Sequence, residues 1–322
     1  MTKKILVTGC CGFIGSTLCE ALLLNTNYFL IGIDNFDPFY SRKTKENNIS
    51  NLLSNQNFVF YEMDLLDTVH LSKIIEKHQP DIVVHLAAKA GIGPSMENPL
   101  SYYQSNVDAT LSLLEVMRKN KVKKMVFASS SSVYGENPKV PFSEQDTLNN
   151  VISFYAASKL ACEQINLLYH KTHNVSFVNL RFFTVFGPRQ RPDLAIHKFF
   201  NAILNNKTLT IYGDGSMERD YTYVDDIING VLAAIEYIQT DASLFETINL
   251  GNNKPVSILN LVESIGKIVN KKPEVKFIDK PKGDVPITYA DINKAQKLLS
   301  YKPSTSLEIG LNKFHQWLCN QK

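Results

Sequence analysis

The run Ser153-Phe154-Tyr155-Ala156-Ala157-Ser158-Lys159 puts a phenol and an ammonium four residues apart. On a helix, positions i and i+4 share one face, so the Lys159 charge can lie near the Tyr155 hydroxyl and favour its phenolate. An ordinary tyrosine titrates near pH ~10 and is a poor base at neutrality. A neighbouring cation in a dry pocket lowers that value by roughly one to a few units, which makes the pair a candidate general base. Upstream, Ser129-Ser130-Ser131-Ser132 forms a cluster of hydroxyls ahead of Val133-Tyr134-Gly135. A polar loop would read the same way, but beside Tyr155 such a hydroxyl can bond a substrate oxygen next to the base. Spacing of the YxxxK kind arises by chance in many proteins, so its meaning depends on the elements that hold it.

Those elements begin with Ile5-Leu6-Val7-Thr8-Gly9-Cys10-Cys11-Gly12-Phe13-Ile14-Gly15, an apolar strand pattern running into G-x-x-G-x-x-G and a helical pattern. Gly9, Gly12 and Gly15 permit a tight turn and close approach of backbone N–H groups to a pyrophosphate, which the helix N-terminus at Phe13 and Ile14 stabilises electrostatically. Asp34, followed by Asn35, closes the second apolar run about 20 residues on, where a carboxylate accepts hydrogen bonds from an adenosine ribose. The expected cofactor is NAD rather than NADP, because Asp34 would repel a 2′-phosphate and Asn35-Phe36 place no cation beside it. Arg42 and Lys43 alter that only by folding back. Asp64, with Leu65 beside it, follows the third strand and could meet the adenine amino group. Ala87, Ala88 and Lys89 end the fourth strand with small residues that leave room for a dinucleotide to cross the sheet edge. Asn106 completes the candidate cofactor set, and His85 reads as a core residue.

Strand-like runs at 3–8, 28–33, 57–62, 81–86, 123–129 and 175–181 alternate with helical stretches at about 13–24, 42–54, 67–78, 99–119 and 153–173. Asp67 and Asn98-Pro99 have the character of helix starts. This alternation predicts a Rossmann-type, doubly wound parallel α/β sheet. After 181 the pattern turns irregular, then returns to a helix from 224 to 239, a strand at 246–250 and a helix at 257–270. The expected division is a dinucleotide-binding domain of 1–180 plus about 219–250, with a smaller interleaved α/β lobe of about 181–218 plus 251–322.

The 322 residues are 44% hydrophobic and 20% charged with a formal net charge of +3, too small and scattered a charge to imply nucleic acid or an anionic membrane. Lys3-Lys4 precedes an apolar run too short for a signal peptide or a membrane span. Five cysteines without a CxxC pair suit a reducing cytosol, and seven histidines without HxxxH spacing give no metal site.

With the glycine turn, Ser132 and Tyr155-xxx-Lys159 in that order, the whole chain resembles the extended short-chain dehydrogenase/reductase family. Dehydratases of that family carry an Asp-Glu pair, and its UDP-xylose-forming decarboxylases a Glu, where this chain reads Ser131-Ser132-Val133-Tyr134. The segments Leu180-Arg181-Phe182-Phe183-Thr184-Val185-Phe186-Gly187-Pro188-Arg189-Gln190-Arg191-Pro192-Asp193 and Tyr212-Gly213-Asp214-Gly215-Ser216 are similar to those of the UDP-glucuronate 4-epimerases, as is Arg219-Asp220-Tyr221. The resemblance implies Tyr155, Lys159 and Ser132 as the catalytic set. It further implies Thr184 and Arg191 on a sugar carboxylate, Arg219 on the diphosphate, and Ser130, Ser131, Asn179, Tyr212 and Asp284 as further substrate contacts. One position departs: Gly93 stands where many members of that group have Arg. The implied activity is NAD-dependent 4-epimerisation of UDP-glucuronate through a 4-keto sugar, in a homodimer paired through the helices at 99–119 and 153–173. A UDP-glucose or UDP-N-acetylglucosamine 4-epimerase and a non-catalytic NAD-binding protein are the alternatives.

Overall fold

A computed structural model describes residues 2–279 and 285–320. The strands are β1 (Lys3–Thr8), β2 (Tyr28–Asp34), β3 (Phe58–Glu62), β4 (Ile82–His85), β5 (Lys124–Ser130), β6 (Ser176–Phe182), β7 (Thr184–Phe186), β8 (Leu209–Tyr212), β9 (Glu218–Tyr223), β10 (Phe245–Leu250), β11 (Pro255–Ser257) and β12 (Val275–Ile278). The helices are α1 (Phe13–Leu23), α2 (Arg42–Ile49), α3 (Thr68–His78), α4 (Ile92–Glu97), α5 (Pro99–Tyr103), α6 (Ala109–Lys119), α7 (Phe154–His173), α8 (Ala195–Leu204), α9 (Val224–Tyr237), α10 (Ile258–Ile268), α11 (Asn293–Leu299) and α12 (Leu307–Cys319).

Seven strands form one parallel sheet in the order β10-β6-β5-β4-β1-β2-β3. The winding starts at β1, runs outward to β3, then returns to β4 and runs the other way. The order therefore reverses between β1 and β4, and a crevice opens there at the carboxyl ends of the strands. Alternate residues of β1 feed opposite cores: Ile5 and Val7 pack with Leu18 of α1 and Ile227 of α9, whereas Leu6 packs with Leu71 of α3, Leu113 of α6 and Cys162 of α7. Burial on both faces is why the central strands read as continuous apolar runs.

Beyond β6, a three-stranded sheet β11-β9-β7 and a two-stranded sheet β12-β8 build a smaller body with α8, α10 and α12. Asp67 caps α3 by accepting the His70 N–H, and Asn98 caps α5 by accepting the Ser101 N–H. Two expected helices differ. The stretch 42–54 is helical only to Ile49, where Ser50 and Ser54 hydroxyls bond the Asn47 and Asn51 carbonyls and compete with the helical ladder. The stretch 99–119 is broken by a π-turn at Gln104–Asp108, preceded by the separate helix α4. The Asn106 carbonyl in that turn accepts instead from the Thr110 hydroxyl and the Cys162 thiol. Among the described residues no helix is long and apolar enough to cross a membrane.

Candidate active site

A cavity of about 550 Å³ runs along the crevice, from the glycine turn past Asp34, Ala87 and Ala88 to Ser130, Tyr155, Lys159 and Arg191. Its floor follows from local sterics. Gly9 has φ +72°, and a Cβ there would lie 2.8 Å from the Ala87 nitrogen; a Cβ on Gly15 would lie 2.1 Å from the Gly9 carbonyl oxygen. Strand end, turn and helix start can approach this closely only as glycine, leaving backbone facing the cavity beside the N-terminus of α1. Asp34 accepts from the Cys11 N–H at 3.1 Å and the Phe36 N–H at 2.8 Å. Burial pushes its carboxyl up, opposed by the Lys45 charge and these two N–H groups. The cradle and carboxylate fit the diphosphate and ribose of a dinucleotide.

A cation does lie beside Asp34: Lys45 of α2 is buried and donates to the Asp37 carbonyl at 2.8 Å. Arg42 is held away by Glu62 and Glu46. Lys45 could not be read from the sequence because Arg42-Lys43-Thr44-Lys45 has no apolar periodicity to tell its inward from its outward positions. Asn35 and Asp64 bond each other at 2.8 Å at the cavity rim, with Leu65 next to them in the wall. Asn106 lies behind the wall, where its amide bonds both backbone groups of Lys89 and the Ser158 hydroxyl. His85 is a core residue, bonded to Thr8 and Thr110 and held near a pKa of 3 by burial, hence neutral.

At the other end, Ser153 caps α7 through the Ala156 N–H and aims its first turns at the end of β5. Tyr155 lines the cavity. Burial raises its pKa, while the Ser130 hydroxyl and the Arg191 charge lower it. Lys159, one turn further along α7, lines the same cavity; its Nζ donates to the Ala128 carbonyl at 2.7 Å, and burial draws its pKa down to about 8. Ser132 is displaced by one hydroxyl from its expected place. Ser130 stands between it and Tyr155, with the two serine oxygens 3.1 Å apart. Ser131 is buried and does not line the cavity.

Arg191 enters the cavity with its guanidinium over the Phe39 ring, bonded to Asp193 at 2.8 and 3.0 Å and to the Ala90 carbonyl at 3.1 Å. Thr184 on β7, Tyr212 at the end of β8 and Arg219 on β9 do not line it. Asn179 is wholly buried in mid-β6, bonded to Asn166 and Thr247 behind the sheet, so it cannot meet a substrate. Asp284 lies outside the described residues. Nothing stands within 4 Å of where a Gly93 side chain would begin.

Residues 5–251 match the family model described as the NAD dependent epimerase/dehydratase family. The chain belongs to that family. Within the NAD dependent epimerases and dehydratases it is 39% identical over 314 residues to a UDP-glucuronate 4-epimerase of Thermodesulfobacterium geofontis, covering 97% of this chain and 95% of the relative. The crystal structure of UDP-glucuronic acid 4-epimerase from Bacillus cereus in complex with UDP-glucuronic acid and NAD superposes with a TM-score of 0.93 at 39% identity, over 99% of this chain and 100% of that one. A second member, UDP-N-acetylglucosamine 4-epimerase from Methanobrevibacter ruminantium in complex with UDP-N-acetylmuramic acid, gives a TM-score of 0.88 at 35% identity, with 99% of each chain covered.

Proposed function

We propose that this protein is an NAD-dependent 4-epimerase that interconverts UDP-glucuronate and UDP-galacturonate through a transient 4-keto sugar. The observation that carries this reading is the single cavity joining a dinucleotide cradle to Tyr155 and then to the Arg191 guanidinium. NAD held along Gly9, Gly12, Gly15 and Asp34 supplies a reversible two-electron acceptor for the sugar C4. Tyr155 as phenolate would take the 4-hydroxyl proton as hydride leaves C4, and would give it back to the same oxygen once hydride has returned to the other face of the planar 4-keto carbon. Ser130 has one hydroxyl proton and two oxygen neighbours, so it can pass a proton between Tyr155 and Ser132 or hold the sugar oxygen between them. Lys159, anchored on the Ala128 carbonyl, keeps a positive charge behind the base below its own pKa of about 8. Arg191 faces the sugar carboxylate, since its planar fork suits two oxygens and it already holds the Asp193 carboxylate that way.

We assign 1–180 with about 219–250 to the dinucleotide and 181–218 with 251–322 to the nucleotide sugar. In that lobe Thr184, Tyr212, Arg219 and Asp284 remain the proposed contacts. We further infer a homodimer in a reducing cytosol; all five thiols are free and four of them buried. Gly93, standing where many UDP-glucuronate 4-epimerases have Arg, favours one second reading, a UDP-glucose or UDP-N-acetylglucosamine 4-epimerase.

Separate incubations with UDP-glucuronate, UDP-glucose and UDP-N-acetylglucosamine, followed by chromatography of the products, test both. UDP-galacturonate is the expected product, with Tyr155→Phe slower by about 10²–10⁴-fold. Turnover of a neutral sugar alone would reject the uronate, and net accumulation of NADH would reject epimerisation.

A further inference from the structure

Tyr155 and Lys159 are followed on the same face of α7 by Glu163, four residues further on, and nothing in the proposed cycle uses it. Its carboxylate is buried beneath the site. Oε1 accepts from the Ser129 hydroxyl and from Arg181 Nε at 3.0 Å, and Oε2 accepts from a second Arg181 nitrogen at 2.7 Å. The third nitrogen of Arg181 donates to the Tyr134 hydroxyl at 2.9 Å, which donates onward to Asn249 at 2.7 Å. Ser129, Arg181 and Asn249 are register neighbours across β5, β6 and β10. Tyr134 ends the short 3₁₀ turn Ser131–Tyr134 that carries Ser132.

Glu163 and Arg181 are each 4% exposed. An apolar pair of the same volume would hold α7 to the sheet at least as firmly, so adhesion does not account for the charges. What charges add is a fixed orientation and a field. The titratable and polar groups facing Lys159 are Tyr155, Cys162 and Glu163 on α7, neutral His85 on β4, the Ala128 carbonyl with the Ser129 and Ser130 hydroxyls on β5, and Arg181 on β6, whose charge Glu163 matches. Glu163 is the carboxylate among them.

We propose that Glu163 is a positioning residue of the reaction: it fixes α7 and the serine turn in one register and supplies the negative charge that keeps Lys159 an ammonium. This rests on the reading of Tyr155 and Lys159 as the base pair. Burial lowers the Lys159 pKa to about 8, while Cys162 and Glu163 oppose it. Without Glu163 the ammonium loses its proton at a lower pH, and support for the phenolate is lost there.

The test is the pH profile of kcat for the holoenzyme, on whichever of the three UDP-sugars it turns over. Glu163→Gln should move the alkaline limb down by about one unit, while KM stays within about twofold. Glu163→Asp, which keeps the charge, should restore the limb even where kcat stays low. Should Glu163→Gln fold poorly with Arg181 left unmatched, Glu163→Gln/Arg181→Gln removes the pair as a unit and should move the limb in the same direction by less, because the Arg181 cation leaves with it. A limb that stays at the wild-type pH in either variant overturns the inference alone. A wild type inactive on all three sugars overturns the proposed function and this inference with it.

Discussion

Ser130 governs how readily Tyr155 becomes a base. Its hydroxyl, at the Tyr155 end of the cavity, holds the Tyr155 pKa below where burial alone would put it. Removing that hydroxyl raises the pKa, so less phenolate is present at any given pH below it. Ser130→Ala should therefore shift the acid limb of kcat/KM to higher pH and lower kcat by about 10²-fold, read from a pH–rate profile. Ser132→Ala, one hydroxyl further from the phenol, should shift it less; equal shifts would mean that Ser130 is no intermediary. The choice among four consecutive serines was not legible in the sequence. Their order along the chain is plain, but which hydroxyl reaches Tyr155 depends on the extended backbone at Ser130 and the 3₁₀ turn after it.

The start of α1 shows how an element can depend on one absent side chain. Alanine is ordinarily the better helix former, by about 1 kcal/mol. At Gly15 the sign reverses, because the new Cβ would sit 2.1 Å from a backbone oxygen that cannot move without opening the turn. Gly15→Ala should weaken NAD binding by at least about tenfold in a titration while far-UV circular dichroism stays native; unchanged affinity would contradict the cradle. Elements of this kind were legible in outline. The strands appear within one or two residues of their expected places because β1, β4, β5 and β6 are enclosed on both faces and so read as largely apolar runs. The π-turn at Gln104–Asp108 was not legible, since it depends on Thr110 and Cys162 meeting the Asn106 carbonyl across two helices. Asn179 misled for a related reason: the resemblance implied a substrate contact, but mid-strand in β6 its side chain bonds Asn166 and Thr247, buried away from the crevice.

At the scale of the molecule, the reversal of strand order between β1 and β4 puts the cradle at one side of the crevice, and β5 with α7 puts the base at the other. The same arrangement leaves α5, α6 and α7 on the outer face of the sheet with no further layer of this chain over several large apolar side chains. Leu100 is 82% exposed, Leu168 58%, Tyr103 55% and Leu111 41%. The Tyr169 hydroxyl on α7 bonds Glu115 on α6, which fixes these helices side by side as one surface. Scattered single leucines on a surface need no explanation; exposed apolar side chains carried by three adjacent helices are what an interface there would use. The homodimer proposed above would set this patch against its own copy across a two-fold axis. Light scattering should give a mass near 73 kDa, about twice the 36.3 kDa chain. The double substitution Leu111→Glu/Leu168→Glu buries four like charges per dimer, a cost of several kcal/mol that should leave a monomer. A wild type that elutes as a monomer at micromolar concentration, or a double variant that stays dimeric, would place the interface elsewhere.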